Sequence, residues 1–355
     1  MQPFVYNALP SRVIFGSGTI AKLKAELERA GCSRALLLST HEQAESLHAI
    51  AALLGPLAAG TFTQAAMHTP TEVTERALSL VQECQADCTV SFGGGSSTGL
   101  GKAIALRTDL MQIAVPTTYA GSEVTPIIGE TKDGVKVTQR TLKVLPEIVI
   151  YDVDFTLSLP PHLSVTSGTN AIAHAVEALY AQDRNPVISM MAEQAIGAMG
   201  RALPAILADP QNREARAEAL YGAWLCGVCL GSVGMALHHK LCHVIGGAFD
   251  LPHADTHTVI LPYAMAYNAK AAPEADAAVA RALGGKDGTS ALVDLATRLG
   301  SPRSLKSLGM PEAGIDRAAD LAVQNPYWNP RPIERTAVRA LIAAAWAGAT
   351  PAALD

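Results

Sequence analysis

The chain has 355 residues, of which 49% are apolar and 17% charged, and its formal net charge is −5. These values exclude a disordered chain and leave enough material for two domains or one large one. The mild acidity, with Lys and Arg scattered rather than clustered, argues against nucleic acid or an anionic membrane surface as a partner.

The opening stretch MQPFVYNALPSRVIFGSG has no basic segment followed by an apolar one, so it does not read as a signal peptide. No uninterrupted apolar run is long enough to span a bilayer, and a cytoplasmic protein is the expectation. Six cysteines are few for this length. Cys226 and Cys229 form one C-x-x-C inside the apolar run WLCGVCLGSVGMAL, without a second pair to complete a zinc site, and read as buried thiols.

In chain order, strands are predicted at 34–39, 60–64, 88–94 and 111–116, with amphipathic helices over 43–55 and 70–84. For the second helix, Thr69 reads as the capping residue, with Pro70 and Glu72 in an acidic first turn. A hairpin is predicted at GETKDGVKV, where Asp133-Gly134 is a strong turn signal, and EIVIYD (147–152) closes the set. After SLPPHLS the pattern turns Ala- and Leu-rich with helical spacing. The expected division is 1–160 as an α/β domain and 161–355 as an all-α domain.

Two stretches of the first half suggest a nucleotide. TVSFGGGSSTGLGKAIAL runs from a strand through three glycines and two serines into a helix, whose unpaired N–H groups and partial positive charge suit a pyrophosphate. Its spacing fits neither G-x-G-x-x-G nor the P-loop, and a tight turn without a ligand is the alternative. VPTTYAGSEVT places Thr117, Thr118, Tyr119 and Ser122 at the next strand's end, the edge at which open α/β sheets bind ligands; a plain capping loop is the alternative. At the end of LLLST, Thr40 replaces the acidic residue that would bind a ribose 2′-OH, which predicts weak discrimination between NADH and NADPH.

The second half concentrates chemistry on histidine. In SGTNAIAHAVEA, Asn170 and His174 are four apart and share a helix face. ALHHKLCHVIGGAFDLPHADTHTVILPY carries His238, His239, His243, His253 and His257. Imidazoles in this number serve either metal ligation or proton transfer.

Four stretches, FGGGSSTGLGKAIA, PTTYAGSEVT, GTNAIAHAVEA and HHKLCHVIGGAFDLPHADTHTVILPY, together resemble the iron-containing (group III) alcohol dehydrogenases, in order over almost the whole chain. The resemblance implies a dehydroquinate synthase-like fold, with an N-terminal dinucleotide-binding α/β domain, a helical C-terminal domain and an active site in the cleft between them. It also implies NADH or NADPH as cofactor and a homodimer. Carried over by position, the metal ligands of the family fall on Asn170, His174, His239 and His253, and its proton-handling histidine on His243. Gly94, Gly95, Ser96 and Ser97 match the pyrophosphate loop, Thr117 and Thr118 the nicotinamide side, and Lys136 and Leu157 further cofactor contacts. Thr40 falls where NAD-preferring relatives carry Asp.

The departures matter. Asn170 replaces the acidic ligand, Thr98 replaces an Asp, and PTTYAGSE is one residue short. With NPYWNPRP near residue 325, the chain looks like a branch of the family that reduces the C=C bond of an unsaturated oxo-dicarboxylate, and of chlorinated relatives, in bacterial breakdown of aromatic compounds. Three imidazoles and an amide bring no negative charge to a cation, and enone reduction has no alkoxide for a metal to stabilise. No metal requirement is therefore expected, with His243 and His253 as acid and electrophile and Asn170, His174 and His239 shaping the pocket. A metal-dependent alcohol or polyol dehydrogenase, with Asn170 ligating through its amide oxygen, is the alternative. The small dicarboxylate substrate needs cations, for which Lys240, Arg140, Lys143 and Arg331 are candidates.

Overall fold

The computed structural model describes residues 3–351. The chain divides into two units, one spanning Ala8–Leu159 and the other running from Pro160 onward together with the N-terminal segment that ends at Asn7. The expected division kept the N-terminal segment with the α/β domain.

The first unit is built on eight strands: β1 (Arg12–Gly16), β2 (Ala35–Leu38), β3 (Ala58–Phe62), β4 (Cys88–Gly93), β5 (Met111–Pro116), β6 (Ile127–Lys132), β7 (Val135–Arg140) and β8 (Ile148–Asp152). Its helices are α1 (Leu23–Arg29), α2 (Ala44–Leu54), α3 (Thr71–Glu83) and α4 (Gly95–Thr108). Six strands form one parallel sheet in the order β1-β8-β5-β4-β2-β3. Side chains alternate across it with period two. Leu37, Val90, Ile113 and Ile150 pack with Leu23, Leu47 and Leu54 on one face. Leu36, Leu38 and Phe62 pack with Val73, Ala77 and Ile104 on the other. A sheet covered on both faces explains why the predicted strands are near-continuous apolar runs.

β6 and β7 pair antiparallel across Asp133 and Gly134. Both turn residues have positive φ, 51° and 74°, the conformation that a tight two-residue hairpin requires. Thr69 departs from expectation. It has a φ of 47°, the residue before α3 is Pro70, and no side chain caps that helix.

The second unit is helical among its described residues. It comprises α5 (Pro161–Leu179), α6 (Pro186–Ala208), α7 (Arg213–Ser232), α8 (Leu237–Phe249), α9 (His253–Asn268), α10 (Pro273–Leu283), α11 (Gly288–Arg298), α12 (Gly314–Ala322) and α13 (Arg335–Ala347). α5 is buried along nearly all of its length from Ser164. Gly168 permits the close approach of α6, since a Cβ there would stand 2.6 Å from the Leu203 side chain. α8, α9, α12 and α13 share one apolar core. No single described helix is long and apolar enough to cross a membrane. All six cysteines are free and buried.

Candidate active site

In the α/β unit, three loops meet at the C-terminal edge of the sheet. Gly93 ends β4 in register with Pro116 at the end of β5, and the Thr117 amide donates to the Gly93 carbonyl at 3.0 Å. The Gln43 side-chain amide, from the turn after β2, donates to Thr117 Oγ1 at 2.8 Å. Gly93 has a φ of 138°, and a Cβ there would stand 2.4 Å from Gln43 Oε1 and 2.5 Å from Ser97 Oγ. Only glycine fits this crossing. Beyond it, Gly94 precedes α4 and exposed Gly95 opens it, leaving the free amides of a helix start toward solvent. The strand order changes direction between β2 and β4, the crevice at which such sheets hold a nucleotide.

The predicted cofactor residues divide on this geometry. Thr40, Gly94, Ser96 and Thr118 are half-buried at the loops, as are Ser122 and Leu157 further along the chain. Thr117 is 5% exposed and is held by Gln43. Ser97 is fully buried, and its hydroxyl has no partner. The Tyr119 side chain is fully buried. Lys136 stands in β7, and its side chain lies outside the described part. A carboxylate does stand after β2, because Glu42 accepts a hydrogen bond from the Thr40 side chain, which holds the acid below its ordinary range.

Lys102 supports the same region and was not singled out from the sequence. Its fully buried ammonium donates to Thr125 O at 2.7 Å, Thr125 Oγ1 at 3.0 Å and Ile127 O at 2.7 Å. Burial pulls it down to about 7, against the pull of Glu123.

In the helical unit, Asn170, His174 and Glu177 follow one another at i, i+4 and i+7 along one face of α5. Glu177 is fully buried and accepts from the backbone amides of Ala236 at 3.0 Å, His238 at 2.7 Å and His239 at 3.4 Å. α8 has no side-chain cap of its own, so a carboxylate from another helix satisfies its start. The same carboxylate lies 2.6 Å from His239 Nδ1. His239 Nε2 lies 2.8 Å from His174 Nδ1, and His174 Nε2 lies 3.5 Å from Asn170 Nδ2.

The proton positions follow from the carboxylate, which only accepts. His239 donates Nδ1–H to Glu177, its Nε2 accepts Nδ1–H of His174, and His174 Nε2 accepts from the Asn170 amide. Asn170 Oδ1 is left without a partner. Glu177 is the residue that sequence reasoning missed. Its signal was a lone acidic residue at the buried end of an apolar helix, three positions after a site histidine.

The remaining histidines form two layers. His238 Nε2 and His257 Nδ1 are 2.9 Å apart, and both rings are fully buried. Burial first, and neighbouring imidazoles second, push both well below the usual histidine value, so both are neutral. Cys242 Sγ lies 3.7 Å from His238 Nε2, and its thiol is pushed well up by burial. His257 backs the outer layer, with ring centroids 4.4 Å from His253 and 5.0 Å from His239. His253 is half-buried and His243 exposed, their rings stacked at 6.1 Å. These two face solvent, as groups that exchange protons with a ligand must.

The metal set carried over from the resemblance does not fit an iron ion in this arrangement. The lone pairs of His239 and His174 are spent on one another's chain of donors. The position that would supply a carboxylate is an amide.

Comparison with known proteins agrees with this anatomy. The family model described as iron-containing alcohol dehydrogenase matches residues 10–153, and the one described as Fe-containing alcohol dehydrogenase family, C-terminal, matches 164–346. A maleylacetate reductase of Rhizobium sp. (strain MTP-10005) is 58% identical, covering 99% of this chain and 100% of that protein. One from Sphingobium indicum is 55% identical, covering 98% and 99%. The crystal structure of maleylacetate reductase from Agrobacterium tumefaciens matches with a TM-score of 0.97 at 57% identity, covering 99% of this chain and 100% of that one.

Proposed function

This chain belongs to the iron-containing alcohol dehydrogenase family, and we infer that within it the chain catalyses the maleylacetate reductase reaction. Maleylacetate is reduced at its C=C bond to 3-oxoadipate with NADH or NADPH, and chloro-substituted maleylacetates are further substrates. Full-length likeness to maleylacetate reductases names the substrate. The observation that carries the chemistry is the chain from Asn170 through His174 and His239 to Glu177, in which an amide and two imidazoles are tied to a carboxylate.

The loops that start at Thr40, Gly94 and Thr117 hold the dinucleotide, with its pyrophosphate at the start of α4. When bound, NADH or NADPH supplies the hydride that adds at the carbon β to the ketone. Charge then grows on the ketone oxygen, and His253 meets it with a ring N–H in the manner of an oxyanion hole. Exposed His243 delivers a proton to the α-carbon. Asn170, His174 and His239 form a fixed wall whose proton positions Glu177 sets. The charge on the ketone oxygen is met by the His253 ring N–H rather than by a cation, and we take the activity to need no metal.

We take the enzyme to be a cytoplasmic homodimer. Phe4, Val5 and Tyr6 are a run of exposed large apolar residues at 46%, 77% and 38%, which suits burial against a second copy. Light scattering on the purified protein tests that point.

The central test is loss of NADH absorbance with maleylacetate, in matched samples with and without EDTA. Turnover that survives the chelator is the expected result. Turnover that collapses and returns with added metal sinks the metal-free site, and an absence of turnover in both samples sinks the substrate. His243→Ala and His253→Ala are each expected to lower kcat by about a hundredfold; near-normal kcat in both refutes the roles given them.

A further inference from the structure

We propose that Lys240, seated on the ring of Tyr327, binds one carboxylate of the substrate and makes the site selective for dicarboxylates; the proposal rests on the maleylacetate reading above. A substrate with two carboxylates leaves water only where cationic donors replace its hydration.

Lys240 stands one residue after His239 and three before His243 on α8, so its side chain and that of His243 share a helix face. It is half-buried. Its ammonium lies 5.6 Å from the Tyr327 ring centroid, within cation–π range. Among the described residues it forms no ion pair, so its charge is not spent on another side chain. Two of the other candidate cations have polar partners: Lys143 pairs with Asp109 at 2.9 Å, and Arg331 donates to Tyr267 O at 3.5 Å.

Tyr327 belongs to NPYWNPRP, the segment that the proposed reaction leaves without a role. That segment is fastened beside α8. Asn329 and Asn268 exchange side-chain hydrogen bonds at 3.1 and 2.7 Å, and Asn329 also donates to Arg331 O at 2.6 Å. The Leu237 amide, first in α8, donates to Asn329 Oδ1 at 3.4 Å. Tyr267 Oη donates to Pro332 O at 2.7 Å. The ring of Tyr327 is therefore a fixed seat, and it also lines a cavity of about 350 Å³ with Trp328 and Arg331. Burial first, then Glu177, push the phenol up, so the ring stays neutral beneath the ammonium. A flexible lysine held this way keeps its charge on offer at low entropic cost.

The test compares wild type, Lys240→Met, Lys240→Arg and Tyr327→Leu in two assays. One is maleylacetate turnover. The other is displacement, measured by quenching of bound NADH fluorescence, by adipate and by hexanoate, which differ by one carboxylate. Wild type is expected to favour adipate by about tenfold or more. Lys240→Met should lose that preference and raise KM by about tenfold with kcat within about threefold, Lys240→Arg should restore most of both, and Tyr327→Leu should fall between. A Lys240→Met enzyme that keeps its KM and its preference for adipate overturns the proposal. Should wild type fail to reduce maleylacetate, the functional reading falls, while the adipate–hexanoate comparison still decides the carboxylate site.

Discussion

Replacing Glu177 by Gln removes one negative charge and one acceptor from a point where four N–H groups converge. The cheapest arrangement of the new amide keeps its oxygen toward His239 Nδ1, Ala236 and the His239 amide, and turns its NH2 toward the His238 amide, now 2.7 Å from another donor. One buried N–H is then orphaned, at about 1–3 kcal/mol, and the surviving bonds lose charge assistance, at about 1 kcal/mol more. A loss near 3 kcal/mol corresponds to about 6–12 °C in Tm for a unit of this size. The His239 proton keeps its place, but the ring loses the charge that orients and polarises it, so kcat/KM should drop about tenfold. Thermal unfolding by circular dichroism and steady-state kinetics read the two effects, with NADH affinity unchanged. A variant within 2 °C of wild type and within about twofold in kcat/KM refutes the relay.

Gly93→Ala places a Cβ against Gln43 and Ser97 at a φ of 138°, so the Gln43–Thr117 bond must break, and NADH affinity by fluorescence titration should weaken by about tenfold or more; unchanged binding removes this crossing from the cofactor site. Glu42→Gln removes the carboxylate beside Thr40, and the ratio of kcat/KM for NADPH over NADH should rise about two- to fivefold; a ratio that stays put or falls shows that Glu42 does not face the ribose. His238 and His257 are depressed in the folded state, so the unfolded chain takes up their protons first as pH falls. Their stability is whole above the unfolded value of 6.5 and is lost below it by about 1.4 kcal/mol per pH unit for each proton. Tm measured from about pH 8 down to 5 should hold and then drop, and His257→Asn should flatten the drop; a wild-type Tm level throughout contradicts their burial as neutral rings.

Where a pattern was local, the sequence carried it. The hairpin at Asp133-Gly134 and the strand 111–116 stand as predicted because a φ requirement and a doubly covered apolar run are written in adjacent residues. β1 was missed because it is a sheet edge whose apolar run is only Val13-Ile14-Phe15, of which Ile14 alone is buried. β8 was read as closing the sheet, yet it lies between β1 and β5; strand order in a parallel sheet is set by crossovers, which no local spacing encodes. At the site, the histidines were found by their density. Glu177 was not, because an acid at the end of a helix reads as a solvated charge until α8 is placed against it. Tyr119 shows what the sequence hides, since a tyrosine among hydroxyl-rich loop residues reads as exposed while its side chain is fully buried.

The six thiols divide evenly, with Cys32, Cys84 and Cys88 in the α/β unit and Cys226, Cys229 and Cys242 in the helical one. Burial pushes Cys229 up to about 12 and holds Cys226 and Cys242 well above the usual thiol value, and only the thiolate attacks an alkylating reagent. In the native enzyme these sulfurs are therefore silent, and each becomes reactive when its surroundings open. Alkylation followed by peptide mass mapping becomes a pair of clocks, one per unit, running without any introduced label. Urea-dependent labelling of the two groups would tell whether the nucleotide half and the histidine half of this enzyme come apart together or in turn.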